Sequence, residues 1–474
     1  MGTFHVENFG CRAARADGEA IAARLQHCMQ RSPDADVVIV NTCSVTAEAD
    51  REARAYIRRT HRANPAARIV VAGCYAQRAP EELAGLPGVA AVVGNSHKAW
   101  AAEIAAQIAG DSNPERNALI PVGAVLGNGG APVWADDSFA HSLLEEGQVV
   151  PGGMTRPNLK IQEGCGNRCT FCVIPTTRGP SRSMAAESVL RQVRGFVEAG
   201  GNELVLSGIN LGRWGRDFAR PGRGNLALPQ KALQNEAPRF ENEAPASLAG
   251  IVRRILVETE LPRLRLSSIE PMDWNEELIG LMADFGGGRL ARHAHLPLQS
   301  GSDAVLRRMH RRYRPWHYVE KVQALFRAAG PELTLGADVM VGFPGETDAE
   351  FAETLEVVRR LPFGYLHLFP FSPRPGTALH AAEPLAAGVL RERMAALRGL
   401  AAEKMRAHRE QFVGAELEAI TLHTDAELAG RGRTRALSEN FIPMEIAGRA
   451  EANRLVRIRV TAMDAAMTLT GEIA

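Results

Sequence analysis

The sequence predicts a multidomain α/β protein: an N-terminal parallel α/β sheet domain, a central partial (β/α)6 barrel and a small C-terminal antiparallel β-barrel. Three observations predict it. Apolar strands alternate with helical stretches through the first hundred residues, and six longer strand–helix repeats follow from residue 158. From about residue 414, apolar and polar residues then alternate over short runs.

In the N-terminal part, a strand over residues 4–10 ends at Cys11, and a helix is expected over 17–29. A second strand, 36–40, runs into Asn41-Thr42-Cys43 and a helix over 47–58; a third, 68–72, ends at Gly73-Cys74. Cys11, Cys43 and Cys74 lie 32 and 31 residues apart, about one strand–helix–strand unit each. All three are therefore expected at the C-terminal edge of one parallel sheet, where ligands bind. Cys28 falls on a predicted helix among apolar residues and reads as a small buried side chain, not a ligand.

The central strands are expected at 158–162, 203–207, 264–267, 293–297, 333–341 and 365–370, with helices at 185–198, 248–259, 316–329 and 348–361 between them. The site of such a barrel lies at the strand C-termini. The expected divisions are a first domain over 1–125, a linker over 126–152, a barrel over 153–385, a connecting helix over 386–413 and a last domain over 414–474. Residues 215–246, rich in Pro, Gly, Asn and Glu, read as a surface insertion.

Bulk properties exclude several classes. No apolar run approaches the ~18 residues of a membrane span, and the first eleven residues lack the basic and apolar segments of an export signal. A cytoplasmic protein without membrane contact, acting as a monomer, is expected. Seven cysteines in a chain of 474 residues then argue against a disulfide scaffold. The formal net charge of +1 leaves any nucleic-acid surface to local clusters.

The sharpest signal is Cys165-Gly166-Asn167-Arg168-Cys169-Thr170-Phe171-Cys172. One loop presents three thiolates, which leaves a four-iron cluster with one iron open for catalysis. A zinc knuckle wants a fourth ligand at short spacing, and no Cys or His follows before His293. The spacing and the aromatic before the last cysteine resemble the radical S-adenosylmethionine (SAM) superfamily.

Further motifs narrow the resemblance to its methylthiotransferases: residues 41–51 (NTCSVTAEADR), Gly73-Cys74, 296–302 (LPLQSGS), 338–347 (DVMVGFPGET) and 371–377 (FSPRPGT). The resemblance implies two 4Fe-4S clusters, one on Cys165, Cys169 and Cys172 and one on Cys11, Cys43 and Cys74. It also implies SAM as cofactor, bound near Gly208, Ser268, Glu270 and Gln299. Each of these four reads equally as a satisfied loop residue, as Gly345-Glu346 reads as a turn and a helix-terminal charge. Where the family commonly has Asn three residues after its first cysteine, this chain has Ala14.

Three features point to RNA. Residues 305–314 hold five arginines and His310 without an acid, and 391–412 carry six Lys or Arg against three Glu. The third feature is the set Arg431, Arg433, Arg435, Arg454, Arg457 and Arg459 in the last domain, part of which (437–441 and 455–460) resembles an RNA-binding TRAM domain. A solvated charged face is the plain alternative.

The family's branches act on isopentenyladenosine or threonylcarbamoyladenosine in the tRNA anticodon loop, or on a ribosomal protein aspartate. The SVTAEADR run, residues 208–212 (GINLG) and residues 267–271 (SSIEP) resemble the threonylcarbamoyladenosine branch. Transfer of a methylthio group to C2 of that nucleoside is therefore expected, with a reductant such as flavodoxin or ferredoxin. A non-catalytic iron–sulfur or zinc RNA-binding protein stays as the reading from another class.

Overall fold

The computed structural model describes residues 2–110, 130–139, 144, 155–218 and 246–474. Most of the expected linker, and all of the expected insertion except 215–218 and 246, lie outside the described residues.

The first sheet comprises β1 (Thr3–Asn8), β2 (Gln30–Arg31), β3 (Val37–Thr42), β4 (Arg68–Gly73), β5 (Val89–Gly94) and β6 (Val133–Trp134). All pairs are parallel, in the order β2-β1-β3-β4-β5-β6. Val37 and Ile39 pack into one core, Val38 and Val40 into another. Both faces are thus covered, which is why these strands read as continuous apolar runs. β6 falls inside the stretch expected as linker: Val133 and Trp134 pair with β5, so the sheet claims that segment. Helix Arg12–Leu25 begins directly at the first cysteine, earlier than the periodicity indicates, and Cys28 lies in the turn after it. Its thiol is half-buried, donates to Leu25 O and packs against the apolar core.

The central part holds β7 (Asn158–Glu163), β8 (Arg182–Ser183), β9 (Glu203–Gly208) and β10 (Arg263–Leu266) in one sheet. β11 (His293–His295), β12 (Thr334–Val341) and β13 (Phe363–Pro370) form a second. Apart from the short antiparallel β8 the pairs are parallel, and a bridge between Leu264 and Leu290 joins the two sheets. Helices Ala186–Glu198, Leu248–Glu258, Glu276–Phe285, Pro315–Ala329 and Asp348–Arg360 lie between the strands; the third was not expected from the sequence. Leu204, Leu206, Leu264, Leu266, Leu335 and Val339 join the apolar core. The opposite, inner face carries Glu203, Arg263, Arg265, His293, His295, Asp338 and Tyr365, linked to one another by hydrogen bonds and ion pairs. This barrel interior is polar. Gly336 is required there, because a Cβ on it would meet the Tyr365 phenol oxygen at 2.3 Å.

Helix Ala387–Glu410 leads to β14 (Glu416–Thr421), β15 (Arg433–Ser438), β16 (Pro443–Ala447), β17 (Leu455–Met463) and β18 (Leu469–Ile473). They close in the order β14-β15-β16-β18-β17. The pairing is antiparallel as expected, except that β16 and β18 run parallel. An odd number of strands in a closed ring cannot alternate all the way round.

The closed barrel sits under the N-terminal ends of the central strands. Asn202 bonds Asn453, Arg263 pairs with Glu418, Arg292 with Glu439, and Asn440 donates to Glu332 O.

Candidate functional site

Cys43 and Cys74 stand at the C-terminal ends of β3 and β4, with Cys11 three residues past adjacent β1. Gly10, at φ +98°, makes the approach possible; a Cβ there would lie 2.6 Å from Cys43 Sγ. Burial, reinforced by Cys11 and Cys74 nearby, pushes the Cys43 thiol up to about 12. Ala14 replaces the family's Asn, and its carbonyl is instead held by Asn41 Nδ2, which also donates to Asn8 Oδ1 at 2.9 Å.

The second trio, Cys165, Cys169 and Cys172, follows β7. Its loop is pinned by Thr170, which donates from its backbone N–H to Met309 O and from Oγ1 to Arg308 O. Asn167 N–H donates to Cys165 Sγ at 3.4 Å. Burial raises the thiols of Cys165 and Cys172, the latter to about 12.

Among the described residues, His295, Asp338 and His367 hold their ligand atoms within 4.8 Å of one another; neither cysteine trio is that tight. A single tetrahedral zinc would draw its sulfurs to about 3.8 Å apart. Wider spacing of three thiols, with no fourth ligand grouped with them among the described residues, fits a polynuclear cluster.

One segment joins the trios. The loop of Cys172 runs on through helix Ile174–Arg178. Fully buried Arg178 donates from Nε to Cys74 Sγ at 3.2 Å, and Asn95 bridges Cys74 Sγ and Thr177 O. Behind Arg178 lie Asp17, Glu163, Lys98 and Lys160, all ion-paired. With Arg178 the three cations exceed the two carboxylates by one charge, and the surplus faces Cys74 Sγ. The charges of Cys74, Glu163 and Asp17 outweigh burial, so the guanidinium stays protonated.

Of the expected SAM-pocket residues, Gly208 ends β9 against Gln162, where a Cβ would come within 2.6 Å of the Gln162 Cβ. Gln299 is buried at φ +60° with its Oε1 unsatisfied. Ser207 Oγ and Asn210 Oδ1 are also buried without partners, so the strand edge has polar atoms free for a ligand's hydroxyl or amino groups. Ser268 is half-buried with its hydroxyl uncommitted. Glu270, by contrast, grips Arg311 at 2.7 and 2.6 Å, and Arg311 Nη1 lies 3.5 Å from Cys169 Sγ.

Arg311 belongs to the arginine run expected on an RNA surface; here it is buried beside the cysteine loop. Its neighbours Arg307 and Arg314 pair with Asp303, and Arg308 with Glu350. In the C-terminal barrel Arg431, Arg435, Arg454 and Arg459 are paired with carboxylates, while Arg433 and Arg457 have no ion pair among the described residues. Glu346 is held by Arg393 of the connecting helix, and Gly345 turns at φ +73°, both structural duties.

Comparison with known proteins falls on this geometry. Residues 3–94 match the uncharacterized protein family UPF0004, and residues 159–358 match the radical SAM superfamily. A threonylcarbamoyladenosine tRNA methylthiotransferase MtaB of Bacillus subtilis is 31% identical over 468 residues, covering 97% of this chain and 94% of its own. The chain belongs to the radical SAM methylthiotransferase family. The MtaB of Aquifex aeolicus is 32% identical, covering 96% of this chain and 99% of its own. A tRNA-2-methylthio-N(6)-dimethylallyladenosine synthase of Cereibacter sphaeroides is also 32% identical, covering 98% and 97%. The radical SAM methyltransferase TsrM of Kitasatospora setae shares the fold at TM-score 0.51 and 14% identity, covering 80% of this chain and 76% of its own.

Methylthiotransferases of this family are enzymes that use SAM with a four-iron cluster and carry a second cluster. The non-catalytic reading therefore falls. Among the described residues no helix is long and apolar enough to cross a membrane.

Proposed function

We propose that this tRNA methylthiotransferase adds a methylthio group to C2 of N6-threonylcarbamoyladenosine beside the anticodon. Sequence identity does not choose between the nucleosides, since relatives named for either match at 31–32%. The observation that carries the choice is the polar inner face of the central barrel. Arginine, histidine and aspartate there suit a charged, hydroxylated N6 substituent, whereas a branched hydrocarbon would strip their hydration without replacing it.

Cys165, Cys169 and Cys172 would hold the cluster that binds SAM; Cys11, Cys43 and Cys74 would hold the second. Together these groups supply radical hydrogen abstraction and sulfur. The protein's own part is positional. Arg311 holds Glu270 at the SAM-side loop, with Gly208, Ser268 and Gln299 lining the same edge. Arg178 neutralises the thiolates of the second site, and the segment 173–178 fixes one trio against the other. A base reaching this point must be unstacked, which costs least in a loop such as the anticodon loop.

The test supplies the anaerobically reconstituted enzyme with tRNA carrying either nucleoside and identifies the product by mass. Conversion of threonylcarbamoyladenosine is expected; conversion of isopentenyladenosine alone would refute the reading. Iron is expected at about eight per chain, falling to about four when Cys11, Cys43 and Cys74 become Ala. Cys169→Ala should abolish SAM cleavage, whereas Cys43→Ala should spare cleavage and lose sulfur transfer.

A further inference from the structure

The inner face of the central barrel carries more positive charge than its carboxylates neutralise. Glu203 is the shared partner of three guanidiniums: Arg265 at 2.8 Å, Arg263 at 3.5 Å and Arg156 at 3.6 Å. Arg263 has a second partner in Glu418, but Arg265 and Arg156 have no other carboxylate among the described residues. The other carboxylate of this face, Asp338, is bonded to His295 at 3.1 Å and His367 at 3.4 Å and pairs with none of these guanidiniums among the described residues.

A further guanidinium enters from the N-terminal domain. Arg12, immediately after Cys11, makes no hydrogen bond or ion pair among the described residues, yet it is half-buried. Its guanidinium carbon and that of Arg265 each lie 5.4 Å from the ring centroid of Phe441, which the C-terminal barrel inserts from below. His293 packs on the same ring at 4.3 Å, and burial together with Arg265 and Arg12 keeps its imidazole neutral. Arg265 Nη1 and His293 Nδ1 are buried with no partner among the described residues. Two cations around one aromatic floor, with an unsatisfied guanidinium nitrogen on one of them, form a site that lacks an anion.

We propose that Arg12, backed by Arg265, binds a carboxylate, namely that of the substrate's N6 substituent, and so selects acidic over neutral modified adenosines. The assignment rests on the threonylcarbamoyladenosine reading and goes beyond it by naming the recognising group. Threonylcarbamoyl ends in a carboxylate and isopentenyl has none. A guanidinium bonded to a carboxylate in a partly dry site is the strong, directional form of that interaction. The position is apt, because Arg12 adjoins a cysteine expected to hold the sulfur-donating cluster. SAM also carries a carboxylate, so the experiment separates the two sources.

The experiment measures binding of an anticodon stem-loop RNA bearing threonylcarbamoyladenosine, or the same RNA with that carboxylate converted to carboxamide. Full-length reconstituted wild type, Arg12→Gln and Arg12→Lys are compared, with iron content as the check that each is assembled. Wild type is expected to prefer the carboxylate by roughly ten- to a hundredfold. The Gln variant should bind both alike, and the Lys variant should keep most of the preference. The KM for SAM is read in parallel. Unchanged discrimination in the Gln variant, or a raised KM for SAM with discrimination intact, overturns the assignment while leaving the substrate reading standing. Wild-type action on isopentenyladenosine alone overturns both, and it is seen without any variant.

Discussion

Glu19 lies on helix Arg12–Leu25 where that helix meets β7, and one of its carboxylate oxygens is buried without a partner. Burial raises its pKa to about 7, against the pull of Arg15 and the Asn158 backbone. A carboxyl whose folded value exceeds its unfolded one costs nothing below the unfolded value. The penalty grows as pH rises from about 4.5 and is complete above about 7. Glu19→Gln should therefore raise stability at pH 8 by at most ~3 kcal/mol and leave it unchanged at pH 4.5, which thermal unfolding at the two pH values measures. At this scale the grouping of the cysteines was legible, because spacing alone encodes it: three thiols in one loop, three at repeat intervals. Arg178, Arg311 and Arg12 were not. Each acts through a neighbour far away in the chain, and nothing local separates a buried arginine from a solvated one. The replacement of the family's Asn by Ala14 was legible as a change, but the bonds of Asn41 to the Ala14 carbonyl and to Asn8 required the fold.

At the scale of elements, the connecting helix Ala387–Glu410 lies against β13 and places His408 beside Thr334, with Nε2 and Oγ1 2.7 Å apart. Burial, with Arg409 adjacent, lowers the pKa of His408 to about 4. The unfolded chain then binds more protons than the folded one between about 6.5 and 4, so stability falls as pH drops through that window. His408→Gln should flatten this dependence, seen as a smaller loss of thermal midpoint from pH 7 to pH 5 than in wild type. The strands themselves were readable to within a residue or two. Those missed up to β13 were β2, β5, β6 and β8, three of them short, and of the last five strands only β17 was placed; β5, Val-Ala-Ala-Val-Val-Gly, lies between turns and carries no cysteine. The alternation Arg-Leu-Arg-Leu in β10 and His-Ala-His in β11 was available as a sign of a polar barrel interior. It was passed over because doubly covered parallel strands are normally apolar on both faces.

Across the whole molecule, two of the motifs that mark the family meet each other instead of a ligand. Arg374, from FSPRPGT, is almost fully buried; it bonds Ser44 Oγ at 2.7 Å and pairs with Asp50, both from the run after Cys43. Arg78 completes the cluster, and Ser372 Oγ accepts from Ala47 N–H. These contacts clamp the loop of Cys43 to the end of the central barrel. Arg374→Ala should cost about 3 kcal/mol, since it strands part of a buried charge network. It should also raise the amount of 5′-deoxyadenosine released per methylthiolated product, because the two trios would lose their fixed separation. None of this docking was visible beforehand; the motifs read only as marks of the family, because sequence does not show which residues meet across the fold. Phe441 carries the same lesson into substrate choice. On the proposed carboxylate assignment, the aromatic floor of the site belongs to the C-terminal barrel, so substrate choice depends on a domain outside the central barrel. Exchanging that domain between relatives is then expected to change which nucleoside is accepted, read as the mass of the product from tRNA carrying either one.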